Sequence, residues 1–448
     1  MIRFVKSSPL LGAAATLALA TGCSGGSAEE PVRSGVEFAP ARLVSSDTEN
    51  GATPMFLITH AGDRVLSWVS APGGGSDGRL HFSVVPAGSS EALPVAELAD
   101  PIGPIQAHGE APPQVAVDPA GSIYVLYSVG KEVPGQRFPV SALRFARSDD
   151  LGRTWSAPVT VNAEGKFGEF GSHNFHALTV GTDGRIVATW LDSRSGTSGV
   201  WMSQSTDGGR SWEADRPIYR DASCPCCRTA VAIAPDGSMY VAWRAILEGD
   251  VRDVVVMRSA DGGRTWGDAV RPVEHGWVYP GCPHAGPDLA VDAAGRLHIA
   301  YWTGQAGSAG VYYARSDDRG QTFVSHPIAV GETARPAHVQ LALADSAGVV
   351  VAWDDGHSAV PRVLIRRSRD GGASFAATQE VSEEGVAASF PVVAVHHDSL
   401  AVAWSQTTAA AHHEAAAAKP DMKDPTAVQA LPRVGQSEIF LRQGRLPS

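Results

Sequence analysis

The sequence lacks any run of basic residues, and acidic residues outnumber basic ones. Its 448 residues include 36 lysines and arginines against 47 aspartates and glutamates, which gives a formal net charge of −11. Because binding to nucleic acid needs a basic face, this balance argues against a nucleic-acid partner. Beyond the N-terminus the chain also lacks an apolar segment long enough to cross a bilayer as a helix.

The one long apolar run, Leu10–Ala20, follows the cations Arg3 and Lys6 and is too short for a stable transmembrane helix. It is typical of an export signal. Ala20-Thr21-Gly22-Cys23 follows, and it resembles the lipobox of bacterial lipoproteins.

The lipobox resemblance implies that Cys23 is lipidated and becomes the first residue of the mature chain. We therefore expect a signal peptide over residues 1–22 and a small, polar tether over 23–37. The lipid would anchor the protein to the bacterial cell envelope, at the outer membrane or the periplasmic face.

Cysteine is scarce, and apart from Cys23 the chain has only Cys224, Cys226, Cys227 and Cys282. In an oxidising compartment disulfides are the default, and four cysteines allow three pairings. A bond between the neighbours Cys226 and Cys227 would be strained. Thiolates also suit Cu(I) or zinc, so the cysteines could instead bind a metal ion. A third interpretation is a redox-active dithiol. All three readings stay open at this point.

One short sequence pattern is repeated along the chain. The pattern Ser-x-Asp-x-Gly-x-Thr/Ser-Trp/Phe occurs five times at a period of about 55 residues, which indicates a repeat architecture. Its aspartate can accept hydrogen bonds from its own turn, its glycine can adopt a positive φ, and we expect its aromatic to turn back into the blade. We interpret the five aspartates as structural: Asp150, Asp207, Asp261, Asp318 and Asp370.

This pattern resembles the Asp-box, or bacterial neuraminidase repeat, of sialidase-like β-propellers. The resemblance implies an all-β propeller of four-stranded antiparallel blades. Seven alternating apolar segments that end in an aromatic residue, such as Tyr240–Trp243, predict one buried second strand per blade. We therefore expect seven blades, with six as the alternative if the first unit is irregular.

A single propeller domain should span residues 38–448, with an insertion over 409–435. Phe38–Ser45 resembles a fourth strand, and we expect it to complete the last blade, which closes the ring and removes an exposed edge.

In such a blade the turns between the first two strands lie on the same face as the Asp-boxes. The loops between blades and those after each second strand lie on the other face, here called the funnel face. The unusual residues fall in this second set. Besides the four cysteines, the predicted binding residues of the funnel face are His173, His176, His284, His338, Asp192 and Arg194.

Sialidases hold their substrate carboxylate with three arginines, and that chemistry suits bidentate guanidinium groups. Topology predicts that Arg228, Arg244 and Arg335 would form such a triad here, with Asp354 or Asp192 as an acid. Catalytic sialidases have six blades, however, and the architecture also resembles the non-catalytic Asp-box propellers that act as assembly factors for photosystem II.

The leading prediction is therefore a non-catalytic binding propeller of the cell envelope. Its ligand or partner, a small glycan or an envelope protein, would bind the Cys/His/Arg-lined funnel face. The alternatives are an exo-sialidase-like glycoside hydrolase and a copper-binding periplasmic protein, in which copper or zinc would occupy the Cys/His cluster.

Overall fold

The computed structural model describes residues 35–45, 50–70, 78–136, 139–163, 165–331, 337–344, 347–355, 360–408 and 437–446. Within these ranges the chain is all-β, with one short 3-10 turn at Glu248–Asp250. No helix of the described residues is long and apolar enough to cross a membrane. Cys23, Arg335 and the whole 409–435 insertion lie outside the described residues.

The described strands form seven antiparallel sheets, numbered as blades one to seven in chain order. Blade one contains Gly51–Ile58, Arg64–Ser70, Arg79–Val85 and Ala96–Leu98; blade two Gln114–Val117, Ile123–Lys131, Val140–Ser148 and Val159–Thr160; blade three His173–Val180, Ile186–Asp192, Gly199–Ser205 and Arg216–Tyr219. Blade four contains Ala230–Ile233, Met239–Arg244 and Val254–Ser259; blade five Asp288–Val291, Leu297–Thr303, Gly310–Ser316 and Val324–Val330; blade six Val339–Ala344, Gly348–Asp354, Val363–Ser368 and Gln379–Glu380. Blade seven contains Val386–His396, Ser399–Thr408 and Glu438–Arg445, with Glu37–Phe38 and Arg42–Leu43 at its outer edge.

The first strand of each blade contacts the first strand of the next blade, and that of blade seven contacts that of blade one. This cyclic order confirms a propeller of seven blades and rules out the six-bladed alternative. The second strands are the most buried elements, as the alternating apolar pattern predicts. Their aromatic ends, Trp190, Trp243, Trp353 and Trp404, are at most 2% exposed and fill the space between the sheets.

The N-terminal segment closes the ring as predicted. Glu37 pairs with Arg445 and Arg42 pairs with Leu441, both antiparallel, so that two short strands cover the outer edge of blade seven. The edge of the last hairpin is therefore paired rather than open to other chains.

Blade four departs from the expected four strands. Its described sheet has three, and the place of the fourth is taken by a single bridge in which Val256 and Val270 exchange backbone hydrogen bonds of 2.8 and 2.9 Å. Gly267 and Pro272 flank this bridge, and Pro272 has no N–H to continue a ladder.

The Asp-box turns share one geometry. In the box of blade two, Asp150 accepts hydrogen bonds from the backbone N–H of Thr154 at 2.9 Å and from its hydroxyl at 2.6 Å. Gly152, two residues after the aspartate, has a φ of 78°, in the left-handed region that favours glycine.

The box aromatics point differently from the expectation. Trp155 stacks on Phe82 of blade one at 4.2 Å, and Trp212 packs edge-on against Phe145 of blade two at 5.1 Å. Each therefore packs on the third strand of the preceding blade, and the box joins adjacent blades rather than only folding its own turn.

Candidate functional site

Two loops of the funnel face carry the four cysteines outside the N-terminus. The first, residues 221–228, enters blade four, and it is held against that blade because the N–H of Cys224 donates to the carbonyl of Arg244 at 2.9 Å. The second, residues 279–286, enters blade five and carries Cys282. The loops come together although 54 residues or more separate their cysteines in sequence.

Cys224, Cys226 and Cys227 form a compact group, here called the sulfur cluster. Their Sγ atoms all lie within 4.8 Å of one another, and the three residues are buried. Cys224 Sγ lies 3.7 Å from Cys226 Sγ and 3.5 Å from Cys227 Sγ. Cys282 is only half-buried, and it packs against the sulfur cluster. All four thiols are free in this structure, because a disulfide would bring two sulfurs to about 2.05 Å.

The surroundings of the sulfur cluster favour one thiolate. Hydrogen bonds from the thiols of Cys226 and Cys227 lower the pKa of Cys224, and the positive charges of Arg244 and Arg252 act in the same direction. Arg252 Nη1 lies 3.4 Å from Cys224 Sγ. The pKa of Cys226 is raised because its thiol donates to Cys224, and burial raises the pKa of Cys227.

The spacing of the sulfur cluster fits a bound metal ion. Thiolates that surround a metal at about 2.3 Å in a tetrahedron lie about 3.8 Å apart, close to the separations found here. Soft thiolate ligands suit Cu(I) and zinc. The donor set on this part of the funnel face is therefore chemically appropriate for a soft metal ion.

A second group of polar residues centres on Glu110, which precedes blade two and is 1% exposed. Its Oε1 accepts a hydrogen bond from Arg228 Nη1 at 3.2 Å, and its Oε2 accepts one from the N–H of Gly286 at 2.9 Å. His338 Nε2 lies 3.9 Å from Oε1. The charges of Arg228 and His338 outweigh burial and lower the pKa of Glu110. Glu110 is not among the binding residues predicted from the sequence.

His338 links this group to Asp354 of blade six, whose Oδ2 lies 2.6 Å from His338 Nδ1. The structure thus brings together three predicted residues of the funnel face, Arg228, His338 and Asp354. Two residues before Glu110, His108 stacks on His284 with ring centroids 5.6 Å apart. Burial and the charge of His284 lower the pKa of His108 to about 4.

Arg244 occupies a different environment from the one a substrate-binding arginine needs. It is 1% exposed, and its guanidinium donates to the carbonyls of Ala285, Arg252 and Trp302 at 2.6 to 3.3 Å. The guanidinium also lies over the ring of Trp277. These contacts connect blade four to blade five.

The remaining predicted residues lie in blade three. His173 Nδ1 is 2.7 Å from Asp192 Oδ2, and Arg194 Nη2 donates to the same oxygen at 2.6 Å. Burial opposes ionisation of Asp192, but the hydrogen bonds from His173 and Arg194 outweigh it and lower its pKa. His176 is fully buried, which lowers its pKa to about 4.

Comparison with known proteins supports the fold. Residues 104–275 match the model of a BNR repeat-like domain. No curated protein matches the chain significantly. A structure of a protein of unknown function from Dyadobacter fermentans DSM 18053 is similar, with 14% identity over 92% of this chain and 99% of that one and a TM-score of 0.54.

Two enzymes are also among the similar structures. The polysaccharide lyase PL25, an ulvan lyase, has 14% identity over 81% of this chain and 93% of its own, with a TM-score of 0.52. The sialidase of Trypanosoma rangeli in complex with the inhibitor DANA has 12% identity over 88% of this chain and 55% of its own, with a TM-score of 0.47. At such identities the likeness shows the fold alone.

Proposed function

We propose that this sialidase-like β-propeller, built on BNR repeats, is a non-catalytic binding protein of the cell envelope that holds Cu(I) on its funnel face. The sulfur cluster supplies the ligands, and lipidated Cys23 supplies the anchor. The observation that carries the proposal is the approach of three free sulfur atoms to within 4.8 Å of one another beside an arginine.

Cu(I) fits the arrangement better than zinc. A structural zinc site is almost always a closed set of four ligands in a tetrahedron. Here three sulfurs lie within 4.8 Å of one another, and Cys282 is not part of this group. Cu(I) is soft and accepts low coordination numbers, so that three thiolates are enough to hold it.

Charge supports the same conclusion. Three thiolates around a monovalent ion leave a net charge of minus two, which is costly inside a protein unless cations lie close. Arg252 is 7% exposed and its Nη1 lies 3.4 Å from Cys224 Sγ, so it can offset part of this charge.

A non-catalytic role agrees with the state of the arginines. Arg228 is bound by Glu110 and by the carbonyl of Val339, and Arg244 is bound by three carbonyls. Neither guanidinium is poised for the carboxylate of a sialoside. A fluorogenic sialoside should therefore show no turnover, and turnover that Arg228→Ala abolishes would contradict the proposal.

The decisive experiment titrates the full, reduced chain with Cu(I) under anaerobic conditions against a coloured Cu(I) chelator. We expect one tightly bound Cu(I) per chain. Because each serine replaces a thiolate with a poor ligand for a soft ion, C224S, C226S and C227S should each weaken binding by at least about 100-fold.

The control is C23S, the same substitution outside the cluster, which should leave Cu(I) affinity unchanged. Absence of tight Cu(I) binding by the reduced wild-type chain would overturn the proposal. So would equal affinity of the wild type and the three cluster variants, or a preference for zinc in direct competition.

A further inference from the structure

We infer that Glu110 is a positioning residue for the sulfur site, because its carboxylate ties together the two loops that carry the four cysteines. The inference rests on the proposed function for its metal readout, but its geometric part stands on the loops alone. Glu110 belongs to neither loop and to neither of the two blades that they enter.

The carboxylate of Glu110 accepts hydrogen bonds from both loops. Oε2 accepts hydrogen bonds from the backbone N–H of Arg228 at 3.3 Å and from that of Gly286 at 2.9 Å. Oε1 accepts a hydrogen bond from Arg228 Nη1 at 3.2 Å. Arg228 directly follows Cys227, and Gly286 lies four residues after Cys282. One buried carboxylate therefore holds the end of each cysteine loop.

The contact between the loops is close. A Cβ on Gly286 would lie 2.6 Å from both the Cγ and the carbonyl oxygen of Arg228, so only glycine permits this approach. Between Cys282 and Gly286, His284 has a φ of 52°, a left-handed conformation that surrounding contacts must maintain in a residue with a Cβ.

Because the thiols are free, no disulfide joins the two loops, and the Glu110 carboxylate accepts hydrogen bonds from both. The carboxylate is needed because a glutamine side chain has one acceptor oxygen and no charge. In either orientation its NH₂ group would face a donor, either the Arg228 guanidinium or the two backbone N–H groups. In E110Q the Cys282 loop should therefore separate from the first loop, and Cys282 should move away from the sulfur cluster.

The metal experiment is a double-mutant cycle on the full, reduced chain. Loss of a residue that orients metal ligands typically weakens affinity by about 10- to 100-fold. We expect a Cu(I) affinity loss of that order in E110Q and in C282S, with no further loss in the double variant, because both remove the packing of Cys282 against the sulfur cluster. E97Q is the matched control, since Glu97 is an exposed partner of Arg79.

A second readout needs no metal. Diamide oxidises two neighbouring thiols to a disulfide, taking up their two electrons and two protons as it is reduced to the hydrazine. In a chain carrying C224S and C227S, we expect a Cys226–Cys282 bond to form about tenfold more slowly once E110Q is added, because the two loops are no longer held together. Circular dichroism checks that each variant is folded, and E110D, which keeps the charge on a shorter side chain, replaces E110Q if that variant does not fold.

The two readouts separate the two proposals. If the wild type binds no Cu(I) but E110Q still slows the crosslink, the metal function fails and the positioning role stands. If folded E110Q crosslinks at the wild-type rate and binds Cu(I) with wild-type affinity, the role of Glu110 is overturned.

Discussion

His338 and Asp354 are joined at two points. His338 Nδ1 lies 2.6 Å from one oxygen of the Asp354 carboxylate, and the backbone N–H of His338 donates to the other oxygen at 2.7 Å. Burial disfavours the charged imidazolium, but the charges of Asp354 and Glu110 outweigh burial and the nearby Arg228. The pKa of His338 is therefore raised above its usual value of about 6.5.

The sign of the resulting pH dependence follows from linkage. A raised pKa contributes stability that is fully present below the unfolded pKa and is lost as pH rises through the folded pKa. We expect the free energy of unfolding to fall above about pH 6.5, by at most about 1.4 kcal/mol per pH unit for this one proton.

D354N tests this prediction by urea unfolding between pH 6 and 9. The variant should lose about 3 kcal/mol at pH 6, because it breaks a buried pair, and its stability should change less with pH than that of the wild type. If D354N keeps the full wild-type slope, another group is responsible.

Asp150 represents the Asp-box turns. Hydrogen bonds from the hydroxyl and the N–H of Thr154 lower its pKa to about 2. D150A should reduce the free energy of unfolding by about 1 kcal/mol, a small effect because the carboxylate is exposed to water. The stability that Asp150 provides should be present above about pH 4 and disappear as pH falls through about 2.

Urea unfolding at neutral pH and in acid checks the Asp150 prediction. D268A, which removes an exposed carboxylate just past the box of blade four, is the control and should behave as the wild type. Equal stability of D150A and D268A would show that the box turn does not depend on its aspartate.

Arg244 should contribute to the free energy of unfolding. R244M keeps the length of the side chain but leaves the carbonyls of Ala285, Arg252 and Trp302 without their donor, which should cost about 3 kcal/mol. The control, R220M, alters an exposed arginine and should stay within about 0.5 kcal/mol. A fully stable R244M would instead point to a role outside folding.

The closing strands can be tested by truncation. A chain that begins at residue 46 loses Glu37–Phe38 and Arg42–Leu43 and leaves the outer edge of Glu438–Arg445 unpaired. We expect it to have a lower melting temperature and to self-associate on size exclusion, whereas a chain that begins at residue 35 should be monomeric and stable. Identical behaviour of the two chains would show that the closing strands do not stabilise the propeller.

Local patterns explain why the architecture is predictable from sequence. The second strands end in tryptophans such as Trp190 and Trp404, and the five boxes keep a regular spacing, so blade number and ring closure follow from short segments. The shortened blade four is harder to foresee, because a single bridge at Val270 depends on tertiary packing rather than on a motif.

The site is predictable only as a set of loops. That Cys227, Cys282 and His338 share the funnel face follows from blade topology. The contacts of Glu110 with Arg228 and Gly286 join residues 118 and 176 positions apart, and which side chains meet depends on how far each loop reaches inward. Arg252 belongs to no motif, and its approach to Cys224 has no signal in the sequence.

The pairing of the closing strands with blade seven determines how the ring would respond to force. Glu37 and Arg445 are register partners at one end of an antiparallel pair, so a force that pulls these two residues apart would load their ladder one hydrogen bond at a time. A ring closed in this way should open at low force, because its hydrogen bonds break one after another. The other six blades bear no load until the closing strands have separated from Glu438–Arg445.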